Sequence, residues 1–217
     1  MKERGIIFNS DMVRAILYGK KTQTRRVVPN WQLPKYTPNI EECEFDWSAV
    51  AQRDRRYGFC VFGETEESCA AKLAKSRVCP YGQVGDKMWV RETWNRTNPN
   101  GNNGTYFYRA DGRFPECIGG HSYVGDELWK PSIHMPRFAS RITLEIMDVR
   151  IEKLQDISEE DAIAEGCWYG KGDNTIDPAV LPANHFPTLW ASLYGEENWN
   201  ANPWVWVLEF RRIINEQ

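Results

Sequence analysis

The sequence predicts a single α+β domain. Three observations support this: apolar and polar residues alternate in several well-separated stretches, complete helix-capping signatures lie between them, and 217 residues suffice to bury one core. Hydrophobic residues make up 41% and charged residues 26%, the balance of an ordinary globular chain. A net charge of −3 excludes a protein that coats nucleic acid by bulk electrostatics, so any cationic site has to be local. The ten tryptophans are unusual, and many aromatic rings stand beside Gly, Asn or Pro, which predicts rings that line pockets as well as fill the core.

In chain order, 5–8 (GIIF) reads as a short strand, and Asn9-Ser10-Asp11 supplies capping side chains for a helix behind it. In that helix Met12 and Ile16 recur four apart with Val13 and Leu17 beside them, Arg14 falls on the other face, and Gly19 stands where a helix ends. The β-branched stretch 22–28 is extended and stops at Pro29. Residues 30–82 change character, with Pro, Asn, Glu and Arg prominent and short apolar runs, and read as an insertion. It holds a short strand over 56–62 and a short helix over 66–75, while Arg53, Arg55 and Arg56 read as a solvated loop.

Gly85-Asp86 opens a strand over 85–94 in which Met88, Val90 and Glu92 share one face, and Trp89, Arg91 and Thr93 the other. An Asn- and Gly-rich loop follows, and 105–110 returns as the second arm of a hairpin, inside a second insertion over 95–130. Two prolines make 129–138 a structured loop. The longest strand is 140–154, where the alternation of Ile142, Leu144 and Ile146 changes phase before Val149 and Ile151, as a bulge would require. In 157–166, Ser158 is an N-cap, Asp161 stands at the capping-box position, Ile157 and Ala162 form a staple and Gly166 ends the helix, so Glu165 lies in its last turn. A second helix over 186–193 and an apolar strand over 203–210 close the chain.

The six cysteines, at 43, 60, 69, 79, 117 and 167, form no Cys-x-x-Cys pair and have no regular histidine partner, so no metal site is expected. The opening MKERGIIF lacks the apolar core of a signal peptide, and no run of about 18 apolar residues occurs. A cytoplasmic protein with reduced thiols and no membrane contact is expected.

Between the first helix and its following strand, Gly19-Lys20-Lys21-Thr22-Gln23-Thr24-Arg25-Arg26 places four cations and two threonines in eight residues. For a threonine to attack a carbonyl, a base must lie within hydrogen-bond reach, and a lysine serves only when its amine is neutral. Lys20, Arg25 and Arg26 disfavour a charged Lys21, and burial acts the same way. In one continuous strand Lys21 and Thr24 would point to opposite faces, so the two can meet only if Lys21 belongs to the turn, which a left-handed Gly19 would supply. Otherwise the same residues form a cationic turn that grips phosphate.

This stretch resembles the G-x-K-x-x-[E/T]-x-R signature of ASCH domains, small β-barrels of the PUA-like superfamily that handle RNA or nucleosides. Its threonine at the sixth position is similar to the bacterial 4-acetylcytidine amidohydrolases. The order of elements agrees over about half the chain. The segments 30–82 and 95–130 have no counterpart in the minimal domain, and the overall style, including WKPSIHMPR, resembles the larger ASCH-type proteins of phages and prophages.

The resemblance implies a mostly antiparallel PUA-like barrel with a few flanking helices and inserted loops. It further implies a cofactor-free site in which Thr24 is the nucleophile, Lys21 its base and Glu165 the proton donor, acting on an acyl amide of a modified pyrimidine nucleoside. The alternative is a non-catalytic module for RNA or a modified nucleotide, with Lys20, Lys21, Arg25 and Arg26 on phosphate. A carboxylate at a helix C-terminus is disfavoured by the macrodipole, which suits Glu165 as a donor; Glu92 is its rival. Around a base-sized pocket the expected groups are Trp89, Trp94, Tyr108, His134 and Arg137, with Lys20, Arg26 and Glu92 completing the substrate-binding set.

Overall fold

The computed structural model describes residues 1–38, 45–52, 59–96, 105–112, 117–118, 121–122, 129–167 and 182–214. In chain order its elements are β1 (Glu3–Ile7), α1 (Ser10–Leu17), β2 (Gln23–Val27), β3 (Lys35–Tyr36), β4 (Trp47–Val50), β5 (Cys60–Gly63), α2 (Glu66–Lys75), β6 (Lys87–Arg91), β7 (Trp94–Arg96), β8 (Tyr106–Tyr108), β9 (Cys117–Ile118), β10 (His121–Ser122), β11 (Thr143–Lys153), α3 (Glu159–Ala164), α4 (Pro182–Tyr194), α5 (Glu196–Asn200) and β12 (Trp204–Ile213). The fold is α+β. A five-stranded sheet has the order β1-β6-β11-β12-β2, with β1 parallel to β6 and every other pairing antiparallel.

The closing strand explains how the layers stack. Trp206, Leu208 and Phe210 of β12 pack with Ile6, Val90, Leu144 and Ile146, and with Val13 and Ile16 of α1. The intervening Val205 and Val207 face Ala162 of α3 and Phe186 and Trp190 of α4. Buried on both faces, β12 reads as a continuous apolar run rather than an alternating one. In β11 the register shifts between Ile146 and Asp148, where the change of apolar phase called for a bulge.

The sheet order ends at β1 and β2, and among the described residues no backbone pairing closes these ends into a barrel. Side chains span the seam instead. Arg26 of β2 donates Nη2 to the Ile7 carbonyl of β1 at 2.7 Å, with its guanidinium 5.3 Å from the Phe8 ring centre. The Phe8 ring lies 6.2 Å from that of Phe210 on β12.

The 30–82 segment is part of the main core. Its strands form a sheet of order β3-β4-β5, and α2 buries Cys69, Ala70 and Leu73 in the cluster that holds Ile6 and Trp206. The expected hairpin is β7 with β8, so pairing starts at Trp94 instead of within β6. The expected helix over 186–193 starts earlier, at Pro182, and α5 follows it. Arg53, Arg55, Arg56, Cys43 and most of the Asn- and Gly-rich loop lie outside the described residues. Among the described residues no helix is long and apolar enough to cross a membrane, and no group of three metal-ligating side chains occurs.

Candidate active site

The site starts from how α1 ends. Asn9 caps the helix by accepting from the Met12 N–H at 2.8 Å, and Val13 and Ile16 bury its apolar face. Past Tyr18, Gly19 takes φ +70°, and the N–H groups of Lys20 and Lys21 both turn back to the Ala15 carbonyl, at 2.7 and 3.1 Å. Lys21 thus lies in the turn, ahead of β2. A Cβ at Gly19 would meet nothing within 4 Å, so the backbone conformation alone calls for glycine. Gly19→Ala is expected to cost about 1–2 kcal/mol in urea unfolding, the usual penalty of a left-handed L-residue.

The end of α3 docks on this turn. Thr22 N–H donates to the Ala164 carbonyl at 2.9 Å, and Gly166 beside the Lys21 stem takes φ +90°, a conformation that favours glycine. Lys21 is 2% exposed and gives Nζ to Glu165 twice, to its carbonyl at 2.8 Å and to Oε2 at 2.5 Å. Glu165 caps α3 at its C-terminus, so Lys21 places a cation where the helix dipole favours one. The disadvantage expected for a carboxylate at this helix end is thereby offset.

Burial pushes the Lys21 amine below its ordinary value of 10.5; the Glu165 carboxylate pulls the other way and Arg26 assists the fall. With its folded pKa depressed, Lys21 binds fewer protons folded than unfolded across the window between that lowered value and 10.5. Its contribution to stability therefore rises with pH through that window. Chemical denaturation from neutral to alkaline pH is expected to show wild-type protein gaining on Lys21→Met, which lacks this term.

Arg25 and Arg26 are adjacent on β2 and so point to opposite faces. Arg25, with no exposed side-chain surface, meets Glu152 at 2.5 Å, Asp161 at 2.8 Å and Glu165 at 3.3 Å, and stands over the Phe186 ring. It also donates to the Gln23 side chain, which in turn donates to Asp161 at 2.8 Å. Burial works against a charged Asp161, yet hydrogen bonds from Gln23 and Arg150, with the Arg25 charge, hold its carboxyl below the usual range. Arg26 commits Nη1 to the Tyr194 hydroxyl at 2.9 Å and Nη2 to Ile7, while its buried Nε has no partner among the described residues.

Thr24, Arg25, Arg26 and Glu165 line a slot whose opposite wall is Met12 of α1 and Phe186, Leu189, Trp190, Leu193 and Tyr194 of α4. Its free volume is about 10 Å³, room for one water. Thr24 and Glu165 thus share a cavity, and Glu165 joins Lys21 to it. The rings at this cavity come from α4, where the Trp190 and Tyr194 ring centres lie 4.4 Å apart. Sequence reasoning placed a helix there but missed its role. The signal was present, since Phe186, Trp190 and Tyr194 recur four apart and form one aromatic face.

Of the eight expected substrate-binding residues, Arg26 lines the slot. Lys20 is exposed in the turn. The others gather elsewhere, for a structural reason. Glu92 is buried and gripped by Arg141 at 2.9 and 3.1 Å; burial raises its carboxyl above the ordinary range against the pull of Arg141. Arg141 lies 4.0 Å from the Tyr108 ring centre, the Tyr108 hydroxyl donates to the Ala139 carbonyl, and Trp94 packs on Met135 and Ala139. His134 and Arg137 are exposed, Arg137 pairing with Glu3 at 3.0 Å, and Trp89 stacks beside Arg91 on β6.

No family model matches the chain, and no curated protein matches it. Among solved structures, the crystal structure of hypothetical protein PH0355 is similar with a TM-score of 0.37 and 11% identity, over 98% of this chain and 100% of that one.

Proposed function

We propose that the protein is an amidohydrolase that removes the acyl group from a modified pyrimidine nucleoside, 4-acetylcytidine being the type substrate, on an ASCH domain of PUA-like build. The buried 2.5 Å contact between Lys21 and Glu165, beside the slot that holds Thr24, is the observation that carries this reading. A proton passing along that contact leaves Lys21 neutral and Glu165 protonated. The Thr24 hydroxyl then attacks the acyl carbon and gives its proton to Lys21, and Glu165 protonates the leaving nitrogen. In the second half, Glu165 takes a proton from the attacking water and Lys21 returns one to Thr24, restoring the neutral pair.

The largely antiparallel sheet, with its seam bridged by Arg26, supports the PUA-like assignment. Among the described residues the thiols of Cys60, Cys69 and Cys167 form no disulfide, which fits a cytoplasmic setting. Phosphate binding by the cationic turn is less well supported, because Lys21 and Arg25 are already met by carboxylates that an anion would have to displace. A nucleoside exceeds the slot, so its entry requires part of the wall to move.

Incubating the intact protein with 4-acetylcytidine is expected to release cytidine and acetate. No turnover, together with tight RNA binding indifferent to Thr24→Ala, would overturn this reading.

A further inference from the structure

Antiparallel strands exchange backbone hydrogen bonds at alternate residues only. Phe210 N–H donates to the Thr22 carbonyl at 2.8 Å, and Val28 N–H to the Trp204 carbonyl at 2.9 Å. Between these, the register pairs Leu208 with Thr24 and Trp206 with Arg26 without interruption. The exchange with β12 therefore falls on Thr22, Thr24, Arg26 and Val28. Gln23, Arg25 and Val27 turn their backbone groups the other way, to the open edge, because β2 ends the sheet.

Arg25 is 2% exposed and lines the slot, and its N–H is a buried donor at the open edge of β2. Among the described residues no backbone or side-chain acceptor meets it. Buried N–H groups are rarely left so, and an orphan one calls for an oxygen from outside. A second orphan belongs to the next residue: the buried Nε of Arg26, whose other two nitrogens are both committed.

We propose that the Arg25 backbone N–H, with Arg26 Nε–H, forms the oxyanion hole of this site, an assignment that rests on the hydrolase reading above. As the bond from Thr24 Oγ to the acyl carbon forms, the carbonyl π pair moves onto oxygen, and these two donors hold that charge. The same pair rebuilds the carbonyl when the C–N bond breaks and the nitrogen takes its proton from Glu165. An amide on the residue after the nucleophile lies beside the attacking oxygen without help from another element. The ladder bonds of Thr24 and Arg26 on either side, and the carboxylates around the Arg25 side chain, fix its direction before substrate arrives.

The test deletes the N–H alone. Residues 1–42, made synthetically with an ester in place of the Arg25 amide, are joined to 43–217 at Cys43. The expected result is a loss of about 10²–10³-fold in kcat on 4-acetylcytidine, with the unfolding midpoint of the unmodified ligated protein retained. The same ester at Val28, which deletes the bond to Trp204, is expected to lower the midpoint and leave kcat in place. Arg26→Lys, which keeps charge but loses Nε–H, is expected to lower kcat at least tenfold. Equal turnover with and without the Arg25 N–H overturns the oxyanion assignment alone, as does a midpoint lowered as far as at Val28. No turnover by the unmodified ligated protein overturns the hydrolase reading beneath it.

Discussion

Thr24→Ala and Lys21→Met are each expected to lower kcat on 4-acetylcytidine by about 10⁴-fold, and the double variant by little more, as groups that act as one unit do. Thr24→Ala removes the atom that bonds to the acyl carbon. Lys21→Met leaves the hydroxyl without an acceptor for its proton while filling the same buried space. The slot wall of Met12, Arg26 and α4 is intact in both, so KM is expected to stay within a few-fold. Glu165 keeps Arg25 as a partner at 3.3 Å when Lys21 is lost, so its charge is not stranded. Because Glu165 has to hold the proton that the leaving nitrogen takes, wild-type kcat is expected to fall as pH rises through the depressed Lys21 value, where the pair loses its shared proton, and Lys21→Met to lose that limb. Initial rates across pH, with unfolding midpoints measured alongside, check each point. A Thr24→Ala protein within tenfold of wild type would remove Thr24 from the chemistry.

The parts of the site legible in the sequence are those fixed by neighbouring residues. Helical spacing of Met12 and Ile16 with a glycine behind them placed the Gly19 turn, and Ser158 with Gly166 bracketed the helix that delivers Glu165. Their meeting is another matter, since Lys21 and Glu165 are 144 residues apart and joined only by the way α3 packs on β2. Arg25 and Arg26 look alike as letters. The open edge of β2 and the faces of the sheet separate one into a carboxylate cage and the other into a seam bridge, and neither is visible before the strand order is known. The aromatic groups expected at the pocket lie away from the slot because Arg141, which was not singled out, organises Glu92 and Tyr108 into a cluster of their own. The 30–82 segment reads as polar on average. The apolar face of α2, with Cys69, Ala70 and Leu73, nevertheless had to be buried somewhere, and the main core is where it goes.

Arg25→Met is expected to destabilise the protein by about 3–5 kcal/mol at neutral pH, the usual cost of removing one partner from a buried ion-pair group. The methionine stem keeps most of the volume and the contact with Phe186, so the loss is electrostatic rather than a cavity effect. Without the guanidinium, Glu152, Asp161 and Glu165 face one another with Arg150 and Lys21 to offset them among the described residues. Arg25→Lys is expected to recover only part, since one ammonium cannot serve three carboxylates and the Gln23 oxygen from a single point. High salt is expected to change the gap little, because the cage is shielded from solvent. Asp161 gives the sign of the pH dependence. Its folded pKa lies below the ordinary 3.8, so the stability it contributes is present above that value and lost as pH falls through the folded one. In Arg25→Met that contribution shrinks, and the two denaturation curves are expected to converge in acid. A neutral-pH gap below about 1 kcal/mol, the range of an exposed pair, would show that the cage contributes no more than a surface contact and that α3 is held to β2 by its apolar face alone.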